Sequence, residues 1–151
     1  MVAGTRDRRL HVSESASPDR WTELLTPGHS VTAVAFAPDG ATFATGDTRG
    51  VIRVRRWPGG EEGAALRGHL ASVRSLRFIP GGLLVSGSDD DTARLWDLST
   101  GRELVPFEIH RSSLVDLAVG SDGRTLLTGA REKRLAAWSL HEFLPPKKGA
   151  E

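Results

Sequence analysis

The sequence predicts an all-β chain made of three tandem units, each of four short antiparallel strands. Three observations predict it. Histidines recur at 29, 69 and 110, which are 40 and 41 positions apart. Each is followed by a run of alternating side chains, at Val31–Phe36, Val73–Phe78 and Leu114–Val119, the pattern of a strand. Each run ends in a turn containing glycine: Pro38-Asp39-Gly40, Pro80-Gly81-Gly82 and Ser121-Asp122-Gly123. Proline presets φ in such turns and glycine accepts positive φ. A period near 40 with four strands per unit marks the blades of a β-propeller.

The elements follow in order. Residues 1–20 mix Arg, Ser, Glu and Asp without a sustained period, and they read as a flexible arm with a strand near Leu10–Val12. Trp21–Thr26 reads as a short strand before Pro27-Gly28. The first unit then runs through Val31–Phe36, Thr42–Gly46, Val51–Arg55 and a weak fourth strand at Ala64–Leu66. The second runs through Val73–Phe78, Leu83–Ser86, Ala93–Asp97 and Glu103–Phe107. The third has Leu114–Val119, Thr125–Gly129, Leu135–Ser139 and a strand at His141–Leu144. The expected division is an arm at 1–20, repeats over 21–144 (about 21–67, 68–108 and 109–144), and a disordered Pro-Lys tail at 145–151.

Composition narrows the function classes. With 151 residues the chain is long enough to bury a core without staples. A formal net charge of +1 gives no strong field toward nucleic acid, an anionic membrane or an acidic substrate. The chain has no cysteine, which removes disulfides and thiolate chemistry and fits a reducing compartment, so a cytoplasmic location is expected. No apolar run reaches 18 residues, and no secretory h-region follows Arg6, Arg8 and Arg9. The basic residues are 17 Arg against 3 Lys, with no Asn, Gln or Tyr, a bias expected of a GC-rich genome.

The pairing of Gly68-His69 with Trp96-Asp97 inside about 40 residues resembles the WD40 repeat. The resemblance covers residues 22 to about 144. It implies propeller blades of four antiparallel strands. It also implies a buried hydrogen-bonded tetrad in each repeat, made of the Gly-His histidine, a Ser or Thr, an Asp and a Trp. In the second repeat these positions hold His69, Ser86, Asp90 and Trp96. The donors and acceptors of such a set satisfy one another. In the third, His110, Thr128 and Trp138 match, with Glu132 in place of the Asp and Ser139 in place of the final Asp. In the first, His29 and Thr45 match, Arg49 takes the Asp position and Arg55 the Trp position. Trp57 lies two residues on, on the same strand face, and competes with Arg55 for that place. The connection after His29 is two residues shorter than those after His69 and His110, so the first blade is expected to be the loosest.

By the same resemblance, partners bind the face made by the loops that enter the first strand and join the second to the third. Those positions hold Ser30 and Thr48, then Leu70, Ser72 and Asp89, then Arg111, Ser113 and Arg131. The implied function is a non-enzymatic scaffold for protein–protein interaction, with no cofactor and no metal. Other chemistries are weaker here. The histidines at 29, 69 and 110 occupy one repeat position rather than one site. Asp89-Asp90-Asp91 lacks the spaced ligands of a calcium loop. Ser86, His69 and Asp90 have the residue types of a hydrolase triad but no nucleophile elbow. Arg49, Arg53, Arg55 and Arg56 form a small basic cluster, and a nucleic-acid accessory is the alternative it supports.

Three repeats fall short of the four to eight blades of most propellers. Two chains would make six blades if the Trp21–Thr26 strand of each completed the third blade of the other, and three chains would make nine. An open arc or a truncated fragment with little independent function is the remaining expectation.

Overall fold

The computed structural model describes the backbone of residues 2–4, 9–14, 17–25, 29–59, 61–108 and 110–144, and the side chains of 29–59, 61–108 and 110–144. It is all-β, as the periodicity predicts. Among the described residues, fourteen strands form four antiparallel meanders that do not close into a ring. The leading sheet is β1 (Val2–Gly4), β2 (Arg9–Glu14) and β3 (Ser17–Leu25). Blade 1 is β4 (Val31–Phe36), β5 (Thr42–Asp47), β6 (Ile52–Arg56) and β7 (Glu62–Leu66). Blade 2 is β8 (Val73–Ile79), β9 (Leu83–Ser88), β10 (Ala93–Asp97) and β11 (Arg102–Phe107). Blade 3 has three strands, β12 (Leu114–Val119), β13 (Thr125–Ala130) and β14 (Leu135–Ser139).

Two expectations are corrected. The arm at 1–20 contains strands that pair as a meander, with Val2 opposite Val12 and Leu10 opposite Leu24. Its alternation, Leu10-His11-Val12-Ser13, is short and set among charged residues, so it does not stand out as a sustained period. The strand expected at His141–Leu144 is instead a 3-10 turn at His141–Phe143. The Leu140 N–H donates to the Arg124 carbonyl and Leu140 is buried, which turns the chain back onto the blade. The tail from 145 onward lies outside the described residues.

The core lies between the blades. Ala44, Ile52, Val54 and Leu66 of blade 1 pack on Val73, Leu76, Leu84 and Trp96 of blade 2. Val85, Ala93, Leu95 and Phe107 of blade 2 pack on Leu114, Leu117 and Leu126 of blade 3. Every residue of β9 is buried, because blade 2 is covered on both faces. The first strands β4, β8 and β12 lie side by side, and β1 continues that row against β4. Blade contact is close enough to demand glycine. A Cβ on Gly46 would lie 2.6 Å from the Cβ of Val73, and one on Gly87 would lie 2.8 Å from the Ser75 Oγ and 3.0 Å from Leu117. Gly129 holds the same place in blade 3, yet among the described residues a Cβ there meets Leu135 at 3.3 Å and the Asp116 carbonyl at 3.9 Å, both of its own blade.

All three first strands carry a bulge at one place, where the pairing slips at Val31/Ala33, Val73/Ser75 and Leu114/Asp116. A bulge bends the strand and re-aims a side chain. In blade 1 it directs Thr32, whose Oγ1 donates to the Val73 carbonyl of the next blade at 2.6 Å. In blade 2 it directs Arg74 toward the turn after β9.

The glycine geometry yields a differential prediction. Gly46→Ala forces a Cβ into Val73 and is expected to cost about 1–3 kcal/mol, as overpacking does. Gly129→Ala, which meets no neighbouring blade within the described chain, is expected to cost less than Gly46→Ala. Urea unfolding of the two variants beside the parent chain checks this, and equal losses would contradict it.

Candidate functional site

The site is a rim of loops at one end of the blades, held by the tetrads beneath it. In blade 2 the Trp96 Nε1–H donates to Ser86 Oγ at 2.8 Å. Ser86 Oγ lies 2.7 Å from His69 Nε2, and His69 Nδ1 lies 2.9 Å from Asp90 Oδ2. With the imidazole proton on Nδ1, Trp donates to Ser, Ser to His and His to Asp, and each ring nitrogen and hydroxyl of the tetrad is engaged. Asp90 also accepts from the Leu70 N–H at 2.9 Å and from the Thr92 hydroxyl at 2.7 Å. The tetrad therefore fixes the loop before β8 and the turn after β9 to each other. Burial pushes the Asp90 pKa up, but the hydrogen bonds from His69, Leu70 and Thr92 outweigh it and hold this carboxyl well below the usual range.

Blade 3 builds the same set with a different acid. His110 Nε2 lies 2.8 Å from Thr128 Oγ1, and the Trp138 Nε1–H donates to Thr128 Oγ1 at 3.1 Å. Glu132 reaches His110, with Oε1 at 3.0 Å from Nδ1, and its Oε2 accepts from the Arg111 N–H at 3.1 Å. The longer side chain divides its two oxygens between ring and backbone, where Asp90 uses one oxygen for both. The hydrogen bond with His110 is the main reason that the Glu132 carboxyl titrates below its usual range.

Blade 1 departs from this. Trp96 stands opposite Leu84 and Trp138 opposite Leu126, while the matching pair in blade 1 is Phe43 with Arg55. Arg55 thus holds the Trp position and is buried, and burial is the main cause of its lowered pKa. Trp57 lies past the end of β6 and does not shift into that place. Its N–H donates to the Ala41 carbonyl, and its ring packs edge-on to Phe36 and Phe43. His29 is half-buried and Thr45 is buried beside Arg53 in the pairing. The carboxylate that organises this turn is Asp47, two residues before Arg49. It accepts from the N–H groups of Arg49 at 2.9 Å and Val51 at 3.0 Å, and pairs with Arg53 at 2.8 Å. Sequence reasoning missed it, although an Asp opening a tight turn is a recognisable signal.

Six of the eight rim positions join in one hydrogen-bonded row. The Thr48 N–H donates to the Ser30 carbonyl at 3.1 Å, and Ser72 Oγ donates to the Thr48 carbonyl at 3.2 Å. The Asp89 N–H donates to the Ser72 carbonyl at 2.9 Å, and Ser113 Oγ to the Asp89 carbonyl at 3.5 Å. The Arg131 N–H closes the row on the Ser113 carbonyl at 3.1 Å. Ser72 and Ser113, each just before a first strand, thus bridge two blades. The other two positions, Leu70 and Arg111, sit on the loops that Asp90 and Glu132 hold, and both are exposed. Leu70 is an 87% exposed apolar side chain. Arg74 belongs to the rim as well. Its Nε donates to Asp89 Oδ2 at 2.7 Å, and this hydrogen bond is the main cause holding the Asp89 carboxyl below its usual range. The bulge that aims Arg74 there has no mark in the sequence.

The basic cluster does not form a patch. Arg53 is ion-paired with Asp47 and lies 3.3 Å from Glu62, and Arg55 is buried. Of the four, Arg49 and Arg56 are exposed. Below the rim, a cleft of about 670 Å³ lies between blades 1 and 2, walled by Val54, Ala64, Phe78 and Leu98.

Comparison with known proteins agrees with the geometry. The family model described as WD domain, G-beta repeat matches residues 21–55 and 60–97. The chain is 30% identical over 124 residues to apoptotic protease-activating factor 1 of Rattus norvegicus, across 77% of this chain and 10% of that protein. It is 26% identical over 134 residues to guanine nucleotide-binding protein subunit beta-1 of Caenorhabditis briggsae, across 86% and 39%. It is 36% identical over 128 residues to coronin-7 of Bos taurus, across 78% and 14%. With repeat period, blade topology and tetrads in agreement, the chain belongs to the WD40-repeat proteins. The repeats of this family serve as protein-interaction scaffolds. The chain spans between 10% and 39% of the length of these relatives.

Two predictions follow from the tetrads. Ser86→Ala leaves Trp96 and His69 without their shared partner and is expected to cost about 1–3 kcal/mol. Ser86→Thr, the residue blade 3 uses, is expected to cost less; thermal unfolding of both variants decides. The second prediction concerns acid. Asp90 and Glu132 have folded-state pKa values below their unfolded ones, so their stabilisation is present above the ordinary carboxylate range and is lost as pH falls below about 4. Asp90→Asn is therefore expected to be less stable than the parent at pH 7, with the gap narrowing toward pH 2. A gap that widens on acidification would contradict this.

Proposed function

We propose that this chain is a non-enzymatic scaffold that presents its loop rim to a protein partner in the cytoplasm. The observation that carries the reading is the row from Ser30 to Arg131, in which alternate backbone and serine hydrogen bonds tie the rim of three blades together. A row so constrained loses little conformational freedom when a partner settles on it, which favours binding. Its chemistry is mixed. Leu70 offers an exposed apolar contact, Arg111 and Arg131 are exposed cations, and Asp89 and Arg74 neutralise each other between them. That pattern suits a peptide or loop bearing an acidic group beside an apolar side chain.

The non-enzymatic part rests on where the reactive residue types lie. Ser86 is fully buried, and its Oγ is engaged by both Trp96 and His69. Asp90 holds two backbone segments in place rather than facing a cleft. Among the described residues no helix is long and apolar enough to cross a membrane. One relative is named as a subunit of a guanine nucleotide-binding protein, which is in keeping with a role in assembly.

Selection of a displayed random-peptide library against the immobilised chain tests the reading. The parent is expected to enrich peptides carrying acidic residues next to apolar ones. Leu70→Asp combined with Arg131→Glu is expected to abolish that enrichment while leaving the melting temperature within about 2 °C, since both side chains are exposed. Enrichment that survives the double variant would place binding elsewhere.

A further inference from the structure

Each blade in this chain carries an apolar face that the next blade covers, and blade 3 carries that face uncovered. Strand register puts equivalent residues in correspondence. Ala44 pairs with Val54 in blade 1, Val85 with Leu95 in blade 2, and Leu127 with Ala137 in blade 3. One step along, Gly46 pairs with Ile52, Gly87 with Ala93 and Gly129 with Leu135. In blades 1 and 2 the apolar members are buried against the following blade; Ile52 and Val85 are 0% exposed and Ala93 is 1% exposed. In blade 3, Leu127 is 44% exposed, Leu135 is 81% exposed and Ala137 is exposed. The glycine that elsewhere admits the next blade's first strand is also present, with nothing from another sheet near it at Gly129. The face has the composition and the close-approach notch of the two blade interfaces beside it, and lacks only the covering sheet.

We infer that this face docks a second copy of the chain, which covers it with the other end of its arc, the leading sheet β1 to β3. The interface continues a packing mode that the chain already uses twice. Sheet count favours this occupant. Each copy has four sheets in a row, and β3 is hydrogen-bonded within its own sheet rather than free to complete another blade. Two copies joined head to tail supply 4 + 4 = 8 sheets, the upper end of the usual propeller range and a closed number. The six-blade arrangement, which needs a free Trp21–Thr26 strand, is replaced by this one. Exposed apolar area on an uncovered sheet would otherwise be a liability in water. This inference is separate from the loop rim, which lies at the end of the blades rather than on a sheet face.

Light scattering coupled to size-exclusion chromatography on the full chain tests it. The expected mass is twice the 16.3 kDa of one chain. Leu135→Arg with Leu127→Asp is expected to return the mass to that of one chain, with an unchanged far-ultraviolet circular dichroism spectrum showing that the blades remain folded. Leu70→Asp, on the rim, is expected to leave the mass doubled. A parent chain that runs as a monomer at 50–100 μM (roughly the range where a weak dimer forms) overturns the inference. So does an oligomer whose mass the Leu127 and Leu135 changes leave intact, or one that the Leu70 change disperses.

Discussion

A sheet with apolar side chains on both faces must be covered twice, and this constraint governs the chain. Blade 2 meets it within the chain, with Val73, Leu76 and Leu84 turned to blade 1 and Val85, Ala93 and Leu95 to blade 3. The other features serve that contact. Gly46 and Gly87 are glycine because the neighbouring first strand passes where a Cβ would stand. The first strands bulge at one common place, and Thr32 uses its bulge to bond across to the next blade. At about 1.5–3 kcal/mol for each large apolar side chain removed from water, these contacts outweigh any single hydrogen bond in the molecule. Blade 3 has one face met and one unmet, and the unmet face is where the chain's chemistry is least finished.

The tetrads act on a smaller scale and for a different purpose. They hold the loops against the strands, so that the rim keeps its shape. Blades 2 and 3 show that the acid can be Asp or Glu, provided that one carboxylate reaches both the histidine and the backbone N–H of the residue after it. Blade 1 shows another way to the same end. There the acid moves to the first position of the turn, Asp47, and holds the turn from inside, while Arg55 fills the space of the missing Trp with Glu62 nearby. The first blade keeps its turn without the full tetrad, and it packs Phe36, Phe43 and Trp57 against one another within the blade, while Phe107 of blade 2 packs on Trp138 of blade 3.

Much of this was legible in advance. The recurrence of His29, His69 and His110 set the blades, and the Trp96-Asp97 ending identified the second repeat. Twelve of the strands lie where alternation and glycine turns put them, within a residue or two. What escaped notice has physical reasons. In the leading sheet, strands are expected near Leu10–Val12 and at Trp21–Thr26, but the strand Val2–Gly4 and the pairing of the three into one sheet are not, because each carries only a few alternating residues in a charged setting. Arg74 reaches the rim through a bulge, which adds one residue to a strand without changing its composition. The four arginines from 49 to 56 look alike in sequence, but strand alternation points Arg53 to Asp47 and turns Arg55 inward.

The sequence by itself determined the strand periodicity, the turns and the chemical members of the tetrads in blades 2 and 3, because these depend on residues close along the chain or repeated at a fixed spacing. Tertiary structure alone decided that Glu132 reaches His110, that Arg55 rather than Trp57 takes the Trp position, and that Leu127 and Leu135 lie bare while their counterparts are buried. Burial is a property of what stands opposite a side chain. Leu135 and Ile52 are equivalent in pattern, and only the presence of blade 2 beside Ile52, with no sheet beside Leu135, makes one core and the other surface.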